Sequence, residues 1–153
     1  MKSFSSLYSL NKHCSGAGIN HENQKFVGTI EISPAIQGRG LQIEFKAIGD
    51  DGTVYHEETS LLGPSFDGKP CLFVLSNNHP GVTPHTLKSE EKTHDKTSYV
   101  FGFGNIEDRS SFREEITMDV WNDGSVEYAY SWGLPGGEFK RRSGAKMLPQ
   151  ITM

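Results

Sequence analysis

The stretch FREEITMDVWNDGSVEYAY, residues 112–130, decides the fold. Phe112, Ile116, Met118 and Val120 lie at alternate positions, the period that turns one face of a strand inward. Asn122-Asp123-Gly124 interrupts this pattern, which resumes in Val126, Tyr128 and Tyr130. A three-residue turn ending in a left-handed Gly124 pairs Trp121 with Ser125. It sets Val120, Met118 and Ile116 opposite Val126, Tyr128 and Tyr130. The rival two-residue turn at Asp123-Gly124 would set Asp119 and Thr117 against the tyrosines and mix the faces, so the apolar pattern selects the first.

The same reading extends along the chain. Leu41, Ile43, Phe45 and Ala47 alternate with polar residues and face inward. Asp50-Asp51-Gly52 predicts the same kind of turn, which brings Ala47 to Tyr55, Phe45 to Glu57 and Ile43 to Thr59. Further strands are expected near 25–32, 70–76, 85–92, 97–103 and 138–148, about nine in all. Residues 1–24 form an N-terminal segment, with a helix over 3–12 carried by Phe4, Leu7, Tyr8 and Leu10 and capped by Ser3. The barrel strands would then occupy 25–148 of a single domain, 1–153.

With 153 residues, 35% hydrophobic and 22% charged, the composition fits one core. A net charge of -4 without a basic run excludes a nucleic-acid backbone as the main partner. No stretch approaches the roughly 18 to 20 apolar residues of a membrane span, and the N-terminus lacks a signal-peptide core, so a cytoplasmic location is expected. Cys14 and Cys71 are too few for a disulfide framework and are read as plain thiols.

Antiparallel strands joined by short loops make either a sandwich or an up-and-down barrel. On these registers the inner face carries Tyr55, Glu57, Thr59, Glu114, Tyr128, Tyr130, Arg141 and Ser143. Buried ions cost several kcal/mol each unless paired, so a wet lumen suits this face better than a dry sandwich core. The fold class is therefore all-β, an antiparallel up-and-down barrel. Its layout, a short N-terminal segment followed by a meander ending in a long hairpin, resembles the calycin group of lipocalin-like and fatty-acid-binding-protein-like barrels. Gly28-Thr29-Ile30 falls where that group carries Gly-x-Trp. Arg141-Arg142-Ser143 is nearest to its Arg-x-Tyr, and the run from Tyr128 to Ser143 is similar to bacterial calycin-like domains. The resemblance implies a lumen that holds a small apolar or amphipathic molecule, and it allows isomerase, cyclase or decarboxylase chemistry.

The expected ligand wall is Tyr55, Glu57, Glu114, Met118, Tyr128, Tyr130, Arg141 and Ser143. Arg141 would clamp an anionic head group with Tyr128, Tyr130 and Ser143. Alternatively it pairs with Glu57 or Glu114, or the register slips and Arg142 lies inside. In an enzyme, Glu57 or Glu114 would act as a general acid or base with its pKa raised by the lumen, beside Tyr128 or Tyr130. A third reading is an interaction module with a filled core. His79, His85 and His94 lie in polar, proline-containing stretches and are read as solvated, so neither a metal nor a cofactor is called for. Trp121 is placed on the outer face, where a second copy of the chain or the N-terminal segment would cover it. Arg109, Arg113, Lys140, Arg142 and Lys146 are read as solvated exterior.

Overall fold

The structure, a computed structural model, describes residues 4–150. Ten antiparallel strands close into one barrel in the ring order β1-β10-β9-β8-β7-β6-β5-β4-β3-β2. They are β1 (Lys12–Ile19), β2 (Lys25–Ala35), β3 (Gly40–Gly49), β4 (Val54–Pro64), β5 (Pro70–Ser76), β6 (Thr83–Lys92), β7 (Lys96–Phe103), β8 (Arg113–Trp121), β9 (Val126–Gly133) and β10 (Lys140–Pro149). Each strand pairs with its sequence neighbours, and β1 closes the ring against β10. No helix among the described residues is long and apolar enough to cross a membrane. Cys14 and Cys71 are free and buried.

The hairpin at 122–124 has the expected register. Trp121 N–H donates to Ser125 O at 2.9 Å, and Val120, Met118 and Ile116 pair with Val126, Tyr128 and Tyr130. Gly124 sits at φ +93°, left-handed backbone that a β-branched residue resists. Gly124→Val should therefore cost about 1–3 kcal/mol. Urea unfolding checks this: an unchanged midpoint would contradict the turn.

Two expectations for the N-terminal segment change. The helix is only Ser5–Tyr8, with Phe4 at its N-cap and no side-chain cap, and the position assigned to Ser3 lies outside the described residues. The chain then enters β1, a strand that the apolar pattern does not announce. Its inward positions are Cys14, Gly16 and Gly18, too small to register as a hydrophobic alternation. The small residues allow closure: a Cβ on Gly16 would lie 2.3 Å from Lys146 O, and one on Gly18 would lie 2.6 Å from Gly144 O.

In an up-and-down barrel successive loops alternate between the two ends. The helix precedes β1 and so lies at the end that carries the β2–β3, β4–β5, β6–β7 and β8–β9 loops. Leu7 is buried there in the same cluster as Ile30, Ile32, Leu41, Leu62 and Leu72. That end is plugged, and the site lies toward the other.

Candidate functional site

The β3–β4 hairpin sets the site's position. Its turn forms as expected, with Gly49 N–H donating to Thr53 O at 2.8 Å and Gly52 at φ +84°. Beyond it Ile48 pairs with Val54 but Ala47 pairs with His56, so Tyr55 is the extra residue of a β-bulge. One added residue reverses every following side chain. His56, Glu58, Ser60 and Leu62 now oppose Ala47, Phe45, Ile43 and Leu41, while Glu57 and Thr59 turn outward. Glu57 is exposed, 3.9 Å from Lys46 Nζ, and so is not part of the lumen wall.

Glu58 is buried and its carboxylate is saturated. Oε1 accepts from Tyr130 OH at 2.5 Å and faces His56 Nε2 at 3.3 Å. Oε2 accepts from Tyr128 OH at 2.8 Å and Ser60 Oγ at 2.7 Å. These four donors match the roughly four lone-pair sites of a carboxylate. Burial pushes the Glu58 pKa up, but the bonds from His56, Tyr130 and Ser60 and the charge of His56 outweigh it and leave it below the usual range. Both tyrosines are raised well above theirs, first by burial and then by the charge of Glu58. His56 is held in turn by Asn78, whose Nδ2 lies 2.6 Å from Nδ1, while Nε2 lies 3.0 Å from Tyr130 OH. Because β4 and β9 stand on opposite sides of the ring, this knot crosses the lumen as a brace.

Above the brace lies a chamber of about 370 Å³. Tyr55, His56, Asn78, His79, Phe112, Glu114, Tyr130, Trp132 and Ser143 line it, with Asn20, His21 and Leu134 at the rim. The loops that supply Asn20, Asn78 and Leu134 join β1–β2, β5–β6 and β9–β10, all at the end away from the helix.

A second buried carboxylate belongs to the chamber wall. Glu114 Oε1 lies 2.8 Å from His85 Nε2, and Oε2 lies 3.5 Å from His79 Nε2. His85 Nδ1 is 3.1 Å from Thr83 O, so both nitrogens of this fully buried ring face acceptors and one proton must lie between Nε2 and Oε1. Burial pushes Glu114 up, but the hydrogen bonds and charges of His79 and His85 win and hold its pKa at about 2. His79 is raised, chiefly by its bond to Glu114 and against its partial burial. The expectation of a glutamate with a raised pKa is therefore reversed for Glu114. The expectation of solvated histidines holds for His94, which is exposed, but is corrected for His79 and His85, which grip Glu114. No group of three or more metal-ligating side chains converges among the described residues.

Of the residues expected in the wall, Tyr55, Glu114, Tyr130 and Ser143 line the chamber. Tyr128 belongs to the brace, and Met118 is packed in the buried core. Arg141 is outside: a second bulge, between Arg141 and Ser143, makes Arg142 the extra residue and breaks the alternation that put both on one face. Arg141 pairs with Glu127 at 3.1 Å, so no anion clamp forms there. Arg142 donates to Trp132 O and Glu138 O and stacks 4.4 Å from the Trp132 ring centre. Arg113, expected in solvent, is 1% exposed; its NH1 donates to Ser111 O and Leu134 O and its NH2 to Gly137 O, which ties two rim loops together. Trp121 is half-buried on the outer wall under Lys96 and Lys146 of its own chain. His56, Glu58, Asn78, His79, His85, Phe112 and Trp132, with Asn20, His21 and Leu134 at the rim, are the site residues that sequence reasoning missed. For the first two the available signal was their parity, which a bulge at Tyr55 would have changed.

Fold and site together define a class: a closed antiparallel barrel, plugged at one end, braced across its lumen and hollow toward the other end. No family model and no curated protein matches the chain. Among solved structures it is similar to Rv2717c from M. tuberculosis, with a TM-score of 0.75, 13% identity and coverage of 95% of this chain and 96% of that one. That likeness is one of fold.

Proposed function

We propose that this barrel, of calycin type, binds a small amphipathic molecule in the chamber above the Glu58 brace. The observation that carries the reading is a chamber of about 370 Å³ with aromatic walls at Tyr55, Phe112 and Trp132 and buried polar groups at Glu114 and Tyr130. Its size falls in the range of small-molecule pockets, and aromatic walls with a few placed polar groups are their usual make-up. A filled core would leave no such space. Native mass spectrometry of freshly purified protein, followed by denaturing extraction, tests the proposal. One retained molecule per chain, released on unfolding, is expected. An empty chain whose melting temperature no small molecule raises would overturn it.

An enzymatic reading passes from the glutamates to His79. This ring borders the chamber, is oriented by an ionised Glu114, and has its pKa raised chiefly by that bond.

A further inference from the structure

We infer that the chamber selects cationic aromatic ligands, an aryl-alkyl amine or amidine, with the cationic head on Glu114 Oε2 and the ring among Tyr55, Phe112 and Trp132. The inference rests on the binding proposal above and goes beyond it by fixing the charge of the ligand.

Bonding capacity is filled at most of the buried polar groups here. Glu58 has four donors and accepts no more. Tyr130 gives its proton to Glu58 and faces His56 with its oxygen. His85 is occupied at both nitrogens. Asn78 Nδ2 is engaged by His56 and the Tyr55 carbonyl, and the Asn20 amide by Gln24 and Glu22. Glu114 differs. Its side chain is 6% exposed, borders the chamber, and has His79 at 3.5 Å as the one contact of Oε2 among the described residues. An ionised oxygen in a largely desolvated wall with lone pairs to spare favours a charged donor.

His79, the wall's histidine with a raised pKa, is already paired with Glu114 rather than free for an anion. Neither Lys nor Arg lines the chamber. Arg113 neighbours Glu114 on β8, so it points to the opposite face, where three carbonyls occupy its guanidinium. Arg141 pairs with Glu127 outside. The ring surfaces of Tyr55, Phe112 and Trp132 add attraction for an organic cation.

Calorimetric titration at pH 8 with three probes on one ring tests this: tryptamine as cation, tryptophol as neutral alcohol and indole-3-propionate as anion. Tryptamine should bind at least tenfold more tightly than indole-3-propionate, and Glu114→Gln should reduce that ratio to below threefold while leaving tryptophol unchanged. Indole-3-propionate binding as tightly as tryptamine would overturn the inference and leave the chamber standing as a binding site. So would a cation preference that survives Glu114→Gln. If none of the three binds at millimolar concentration, the binding reading itself fails along with the inference. Glu114→Gln also removes the partner of buried His85, so the comparison of probes on the unaltered protein decides the charge preference whether or not the variant folds, with Glu57→Gln, an exposed position outside the chamber, as a folded control.

Discussion

Glu58→Gln should lower the unfolding free energy by about 3 kcal/mol at pH 7, while Glu57→Gln should change it by less than about 0.5 kcal/mol. In a chain of this size that separates the two melting temperatures by roughly 6–12 °C. Glutamine keeps the shape of Glu58 but places an NH2 where Tyr128, Tyr130, Ser60 and His56 all present hydrogens to a carboxylate. At least one donor is then left buried without an acceptor. Glu57 is half-exposed beside Lys46, and its loss removes only a screened surface pair. The pH dependence has a fixed sign. Because the folded pKa of Glu58 is depressed, its contribution is complete above the unfolded value of about 4.3 and is lost as pH falls through the folded value. The gap between Glu58→Gln and the unaltered protein should therefore close in acid. Equal effects at positions 57 and 58 would mean that the Tyr55 bulge does not exist.

Arg113→Met should cost about 2–4 kcal/mol and loosen the mouth of the chamber. The guanidinium donates to Ser111 O at 3.3 Å, Leu134 O at 3.0 Å and Gly137 O at 2.8 Å, so one side chain joins the loop before β8 to the loop between β9 and β10. Methionine fills much of the volume and leaves those carbonyls without their donor. Arg113→Lys should recover little, since one ammonium cannot reproduce the planar fork that spans two loops. Amide hydrogen exchange should quicken over residues 134–137 in both variants while the β3–β4 hairpin is unaffected. Full protection of 134–137 in Arg113→Met would contradict the clasp.

Where the pleat is regular, the fold was legible in residue order. Leu41, Ile43, Phe45 and Ala47 are all buried, and the hairpin at Gly124 has the register that its apolar pattern demands. The site was less legible because it lies where the pleat is broken. A bulge at Tyr55 exchanges Glu57 for Glu58, and a bulge at Arg142 sends Arg141 outward while Ser143 stays in. Period-2 reasoning carries no signal for an added residue, and each one reverses the side chains beyond it. β1 was hidden for another reason: glycine at Gly16 and Gly18 serves close approach to β10, and that use erases the apolar alternation by which strands are recognised. His85 was read as solvated in a polar, proline-containing stretch, but it is partnered across β7 by Glu114, a contact that exists only once β6, β7 and β8 are laid side by side.

Ligands should enter the chamber beside Trp132, and the chain carries its own internal control. It has two tryptophans: Trp132 in the chamber wall, and Trp121 on the outer wall beneath Lys96 and Lys146. Their indole N–H signals in a ¹⁵N-labelled sample, assigned by Trp121→Phe, report on the two places separately during titration with small aromatic fragments of each charge. A saturable shift of the Trp132 signal with Trp121 unmoved is expected. A titration in which Trp132 stays still for every fragment, or in which only Trp121 responds, would contradict it.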